Sequence, residues 1–340
     1  MTDAAYMDRA VRISRRGFPA PNPHVGCVLV KDGIIVGEGW CPYAGGPHAE
    51  AMAIANAGEA AQGADAYVTL EPCNHFGRTP PCSLALIAAG VKRVFVAVAE
   101  TNPRAMGGIA RLEEAGISVQ VGLGASKAAA ANHQFIFAMR HRRPFVVAKA
   151  GCGLDGRIAL PSGESKWITS PTARRAGHRL RAEAGAVLVG YRTVVADNPH
   201  LTARLPRVVN QPLRVVLDPQ SGLSGSERLF DDAAPTLWLQ EELSPAEVVA
   251  RVSETGATGL LIEGGGRTIA RFLAAGLIDR LELFVAPRVL GDGPSWCNGL
   301  DLDNLTQAPE FHLTATRRLG PDLQLTLDRI SLSDPEPRSV

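Results

Sequence analysis

The chain carries one group of side chains whose types and spacing suit metal chemistry. These are His48 and Glu50 in Pro47-His48-Ala49-Glu50, Cys73 in Glu71-Pro72-Cys73, and Cys82 in Pro80-Pro81-Cys82. One imidazole and two thiolates give a zinc ion three protein ligands, one ion per chain, and leave the fourth tetrahedral position for water. Two thiolates with an imidazole favour zinc over magnesium or manganese. Cys82 opens a helix, where the dipole and the metal both favour its thiolate. Glu50 lies in the first turn of the helix after His48. Two positions apart on a helix, the two side chains do not face each other. Glu50 therefore reads as a proton carrier that takes a proton from the attacking water and returns one to the leaving group. A closed structural site using the same three ligands and Cys41 is the competing reading.

The H-x-E…P-C pattern with a second downstream cysteine is the signature of zinc deaminases acting on nucleobases. The spacing departs from the common form, with eight residues between Cys73 and Cys82 where two are usual. In the second half, Glu263-Gly264-Gly265-Gly266 follows a strand and precedes a helix, so backbone N–H groups there could cradle a phosphate. Taken alone it is equally a tight turn, and it is not a G-x-G-x-x-G fingerprint.

The elements that position these residues alternate. Residues 1–17 have helical spacing and two acidic residues, and read as the first helix of a domain, not a targeting segment. Apolar runs at 25–30 and 34–38 flank Lys31-Asp32-Gly33, a hairpin signal. Helices are expected at 48–57, 82–89, 105–115 and 126–140, with strands at 66–70, 93–98 and 117–121, making an α/β layer sandwich with a mostly parallel sheet. A boundary falls near residue 143. Beyond it, strands are expected at 145–150, 186–189, 213–217, 259–262 and 280–285, and helices at 171–184 and 268–275. Residues 331–340 read as a frayed tail.

Composition bounds the function class. With 340 residues the chain is long enough for two domains. Thirty-five Lys and Arg against 34 Asp and Glu leave a net charge of +1, which provides no broad field for nucleic acid or an anionic membrane. No apolar run reaches the length of a membrane span. Six cysteines are too sparse for a disulfide scaffold and fit reduced thiols in a cytoplasmic enzyme.

Longer motifs narrow the substrate. The run Pro21-Asn22-Pro23-His24-Val25-Gly26-Cys27, His48-Ala49-Glu50, and the whole of residues 69–82 resemble the bifunctional deaminase/reductase family of riboflavin biosynthesis, in which the insertion between the cysteines is normal. The resemblance continues through residues 149–157, 162–170, 193–204 and 263–271 and covers both halves. It implies a cytidine-deaminase-like three-layer sandwich over 1–143 and a dihydrofolate-reductase-like domain over 144–340. It also implies two successive reactions. A diaminopyrimidinone bearing a ribosylamino 5′-phosphate loses its 2-amino group, and the ribosyl group is then reduced to ribityl with NADPH.

By the same resemblance, Asn22, His75 and Arg78 contact the nucleotide in the first site. NADPH lies across Gly265, Gly266, Arg267 and Thr268, against Gly151, Trp167, Thr193 and Asp197. Ser165, Arg181, Leu201, Arg204 and Glu263 contact the second substrate. A turn-forming Asn22, a solvated Arg78 and an ordinary strand lysine at Lys149 are the alternatives. The partner is thus a small pyrimidine nucleotide, neither nucleic acid nor membrane, and the expected assembly is a homo-oligomer, dimer or tetramer. Two departures stand out. Cys41 replaces a frequent His, and Gly153 replaces the usual Ser before Leu-Asp-Gly, where an added glycine would loosen the cofactor loop. An active deaminase with a degenerate reductase, and a zinc deaminase acting on another nucleotide or on nucleic acid, are the remaining readings.

Overall fold

The computed structural model describes residues 1–77 and 80–330. Arg78 and the expected frayed tail at 331–340 lie outside the described residues. The chain divides into two units, Met1–Arg143 with Pro206–Asn210, and Pro144–Leu205 with the chain from Gln211 on.

The first unit runs α1 (Asp3–Ser14), β1 (Gly26–Lys31), β2 (Ile34–Trp40), α2 (Ala49–Ala57), β3 (Asp65–Val68), α3 (Cys82–Ala88), β4 (Arg93–Val96), α4 (Gly108–Glu114), β5 (Ser118–Val121), α5 (Ala125–Ala131) and α6 (His133–His141). Its sheet has the order β2-β1-β3-β4-β5. The β1–β2 hairpin is antiparallel and joins β3 antiparallel, while β3, β4 and β5 run parallel. The hairpin turns on Asp32 (φ 51°) and Gly33 (φ 79°), the two positive φ values a type I′ turn requires.

Period-two alternation builds three layers. Cys27, Leu29, Ala66, Val68, Val94 and Val96 bury one face against Ala49, Ala53, Leu86, Leu112 and Ile136. Val28, Val30, Tyr67 and Phe95 bury the other face against Tyr6, Met7, Ala10 and Ala128. This is the expected cytidine-deaminase-like sandwich.

One expected element is corrected. The single helix read over 126–140 is two helices, α5 and α6, parted at Asn132 (φ −114°). The buried Asn132 side chain accepts the His24 amide N–H at 2.7 Å and donates to the His24 carbonyl at 3.0 Å. An asparagine that bonds another segment's backbone competes with the helix ladder.

The second unit runs β6 (Phe145–Cys152), α7 (Pro171–Ala184), β7 (Ala186–Gly190), α8 (Tyr191–Asp197), β8 (Leu213–Leu217), β9 (Thr236–Leu239), α9 (Pro245–Glu254), β10 (Gly259–Ile262), α10 (Gly266–Ala274), β11 (Arg280–Val285), β12 (Phe311–Leu319) and β13 (Asp322–Arg329). Its sheet has the order β12-β13-β11-β6-β10-β7-β8-β9, parallel from β11 to β9 and antiparallel across the β12–β13 hairpin. The sequence reading had not located α8, β9, α9, β12 or β13. Val146, Leu188, Val215, Leu260, Ile262 and Phe272 lie in the buried core, so β6, β7, β8 and β10 read as nearly continuous apolar runs, as strands covered on both faces do.

Candidate functional site

In the first unit, element ends deliver the metal-suited side chains. His48 is the N-cap of α2, and α2 lies close against β2 because Gly39 has no side chain: a Cβ there would run into the Ala49 carbonyl. Cys82 is the first residue of α3, after Pro81. Cys73 follows the end of β3 and is held through its neighbours. The buried Glu71 carboxylate accepts backbone N–H groups from Glu100 (3.0 Å), Gly107 (3.0 Å) and Ile109 (3.1 Å). The Asn74 amide donates to the Ala105 carbonyl at 3.0 Å. Gly108 starts α4 against the Pro72 carbonyl, where a Cβ would collide.

The ligand atoms of His48, Cys73 and Cys82 lie within 4.8 Å of one another; Cys41 and Glu50 fall outside this set among the described residues. His48 Nδ1 is 3.2 Å from Cys82 Sγ and 3.6 Å from Cys73 Sγ, and the Cys82 amide donates to Cys73 Sγ at 3.4 Å. The hydrogen bond between the two thiols lowers Cys73 and raises Cys82. One imidazole and two sulfurs converging within 4.8 Å form the donor set of a three-ligand zinc site, so the residues fit zinc. Glu50 is only 3% exposed, and burial raises its carboxyl to about 7. Burial likewise pushes the Cys41 thiol up to about 12.

Asn22 is exposed, and its amide donates to Pro19 at 2.8 Å in a turn. His75 is exposed on the loop after Cys73.

The second unit encloses a cavity of about 650 Å³ lined by Gly151, Ser165, Trp167, Arg181, Thr193, Asp197, Leu201, Arg204, Glu263 and Gly265. These residues come from β6, α7, α8, the end of β10 and two loops, so the fold gathers positions scattered over more than 110 residues. The other three expected cofactor residues form the first turn of α10 beside that lining. Gly266 packs against Ser295 and Asn298, Arg267 lies beside Gly299, and the Thr268 side chain closes on Gly190 and Gly264.

Thr193 Oγ1 accepts the Gly265 amide at 3.0 Å and fixes the glycine turn. Gly265 caps α10 with no side-chain hydrogen bond, which leaves first-turn N–H groups for an anion. That open glycine turn on the cavity wall fits a phosphate-bearing dinucleotide. Gly153 is pinned, not loosened. Its amide donates to Arg157 at 2.9 Å, and a Cβ would sit 2.7 Å from the Arg288 carbonyl.

Charge in the cavity centres on Glu263. Arg181 donates to it through Nε (2.6 Å) and Nη2 (2.9 Å) and to the Thr202 carbonyl through Nη1 (3.0 Å); Lys149 Nζ is 4.0 Å away. Burial alone would raise the Glu263 carboxyl, but Arg181 and Lys149 prevail and hold it at about 2. His178, which the sequence reading missed, also lines the cavity, and burial with Arg181 and Arg204 lowers it to about 4. Arg174 lies 4.4 Å over the Trp167 ring, and Lys166 pairs with Asp197 at 3.1 Å.

Two family profiles match the chain. Residues 1–98 match the cytidine and deoxycytidylate deaminase zinc-binding region, and residues 144–325 match the RibD C-terminal domain. The riboflavin biosynthesis protein RibD of Escherichia coli K12 is 41% identical over 364 aligned positions, covering 96% of this chain and 99% of that protein. The chain belongs to the RibD family. The RibD protein of Aquifex aeolicus is 40% identical over 96% of this chain and 98% of its own length. Among solved structures, Acinetobacter baumannii RibD, form 1, superposes with a TM-score of 0.89 at 38% identity, covering 97% of this chain and 99% of its own. The Thermotoga maritima diaminohydroxyphosphoribosylaminopyrimidine deaminase/5-amino-6-(5-phosphoribosylamino)uracil reductase superposes with a TM-score of 0.87 at 33% identity, over 96% and 98%.

The chain is accordingly a bifunctional enzyme of riboflavin biosynthesis, with a zinc-binding deaminase half and a reductase half of the NADPH-using RibD type. No described helix is long and apolar enough to cross a membrane.

Proposed function

We propose that the first half hydrolyses the 2-amino group from 2,5-diamino-6-ribosylamino-4(3H)-pyrimidinone 5′-phosphate, and that the second half reduces the ribosyl group of the product to ribityl. The observation that carries the reading is the convergence of His48, Cys73 and Cys82, with the buried Glu50 beside Cys82.

His48, Cys73 and Cys82 hold zinc, which when bound supplies the Lewis acidity that makes water a nucleophile near neutral pH. Glu50 carries one proton from the attacking water to the ring nitrogen, then a second from the newly added hydroxyl to the amino group, which leaves as ammonia when the C–N bond breaks. Its burial keeps bulk water from competing for the proton. Asn22, His75 and Arg78 bind the nucleotide.

In the second half NADPH supplies the hydride. The start of α10 after Gly265 offers the Gly266 and Arg267 backbone N–H groups to its pyrophosphate, and Gly151, Trp167, Thr193 and Asp197 line its path. Arg204 suits the substrate's phosphate, while Ser165 and Glu263 suit ribose hydroxyls. Arg181 spends three of its N–H groups on Glu263 and Thr202, so its part is to keep Glu263 ionised as an acceptor. The domains act as 1–143 and 144–340. The setting is cytoplasmic, as six unbridged cysteines suit, and the assembly is a homo-oligomer, for which the exposed Leu313 and Leu323 on the β12–β13 hairpin offer apolar surface.

The test is incubation of the zinc-loaded protein with the diaminopyrimidine nucleotide, with and without NADPH. Ammonia should appear in both, and NADPH should be oxidised only after deamination. Zinc-loaded protein that releases no ammonia would sink the reading. Deaminated product that stays unreduced in excess NADPH would restrict it to the first half.

A further inference from the structure

The cations on the cavity wall fall into two classes. Arg181 and Lys149 face Glu263, Lys166 pairs with Asp197, and Arg174 covers the Trp167 ring. Arg204 and Arg228 form no ion pair with a described acid and cover no described ring. Arg204 reaches only Thr202 Oγ1, at 3.5 Å. The acids nearest Arg228 in sequence are already engaged. Glu227 accepts from the Ser224 amide and hydroxyl and from the Gly225 amide, each at 3.0 Å. Asp231 takes Arg214 Nη1 at 2.7 Å and sits 3.1 Å from His200 Nδ1. Arg228 thus lies exposed on the cavity lining with its guanidinium charge and donors unspent among the described residues.

The reductase ligands proposed above bring two phosphate monoesters, the substrate's 5′-phosphate and the cofactor's 2′-phosphate, besides a pyrophosphate suited to the glycine turn. A guanidinium fork matches a phosphate monoester bidentately. Arg204 is taken by the substrate, which leaves Arg228. Its location agrees with the cofactor side. The Arg228 amide donates to Asn198 Oδ1 at 2.8 Å, and Asn198, in the left-handed region at φ 40°, ends the helix that carries Thr193 and Asp197.

We propose that Arg228 anchors a phosphate monoester in this cavity, and that this monoester is the 2′-phosphate that distinguishes NADPH from NADH. The inference rests on the reductase reading of the second half.

Titration calorimetry on the full-length, zinc-loaded protein separates the possibilities, with 2′,5′-ADP, 5′-AMP and ribose 5-phosphate as probes. Arg228→Gln should weaken 2′,5′-ADP by about 10- to 100-fold, the range for a charge-assisted contact, and leave 5′-AMP and ribose 5-phosphate unchanged. Arg228→Lys should recover part of the loss. An unaltered melting temperature is expected, because the guanidinium makes no described bond to the fold. Undiminished 2′,5′-ADP binding in Arg228→Gln, or a loss confined to ribose 5-phosphate, overturns the inference while leaving the reductase reading intact. Wild-type protein that binds none of the three overturns both.

Discussion

Arg181 on α7 and Glu263 after β10, 82 residues apart in sequence, form a bidentate ion pair with side-chain exposures of 14% and 10%. Breaking such a pair from one side strands a buried charge, which costs far more than the pair contributes. Glu263→Gln should destabilise the second unit by about 3 kcal/mol. Fluorescence-detected denaturation reports it, since three of the four tryptophans (Trp167, Trp238 and Trp296) lie in that unit. Replacing both partners, as Arg181→Met with Glu263→Leu, should recover part of the loss. A single variant as stable as the wild type would show that the pair is solvated. The Glu263 carboxyl is held at about 2, below its ordinary 4.5. Its contribution is therefore complete above 4.5 and disappears only as pH falls toward 2.

His178 acts in the same direction but in a higher pH window. Burial first, then Arg181 and Arg204, lower it from its ordinary 6.5 to about 4, against the smaller opposing effects of Glu263 and the Thr202 carbonyl. Between these values the unfolded chain binds a proton that the folded unit refuses, so stability falls as pH drops from 6.5 to 4. Discounted for the solvent that reaches this half-buried ring, the loss from pH 7 to pH 5 is about 1 kcal/mol or less. His178→Asn should flatten that slope. An equal slope in both proteins would assign the acid sensitivity elsewhere.

The metal donors were legible in the sequence because proline-flanked cysteines and an H-x-E segment mark element ends, where metal ligands are useful. The three-layer sandwich was legible because period-two strands alternate with helices. The break at Asn132 was not, since it depends on a bond to His24, more than 100 residues away. The β12–β13 hairpin was readable and overlooked: Leu323, Leu325 and Leu327 alternate with Gln324, Thr326 and Asp328 after the turn signal Gly320-Pro321. So was α9: Ser244 and Glu247 form a capping box around Pro245, followed by Val248, Val249 and Val252. Arg228 could not be singled out, because its lack of an acid partner follows from where Glu227 and Asp231 spend their oxygens.

Glu50→Gln tests the division of labour in the deaminase half. The amide matches the carboxylate in shape but cannot carry a proton. Deamination should fall by about 10²- to 10⁴-fold, the usual contribution of a positioned acid–base group. Zinc content and the reduction of supplied deaminated substrate should stay at wild-type values. Deamination that survives the change would remove Glu50 from the proton path; loss of zinc would make it a ligand.

Glu71 offers a sharper test of how the metal site is held. Its carboxylate collects three backbone N–H groups from residues 100–109 and lies two positions before Cys73. In Glu71→Ala those buried donors lose their acceptor, a cost of about 3 kcal/mol or more at roughly 1–3 kcal/mol for each unsatisfied group. The Cys73 loop also loses its tie to the start of α4, so zinc affinity should drop about 10- to 100-fold, as when outer supports of metal ligands are removed. Glu71→Gln keeps one oxygen that can still serve Gly107 and Ile109, and should fall between the two. Competition with a chromogenic chelator gives the zinc affinities, and pulse proteolysis gives the stability of the unit. Alanine and glutamine variants that hold zinc as tightly as the wild type would mean that Cys73 is fixed by Gly108 and Pro72 alone.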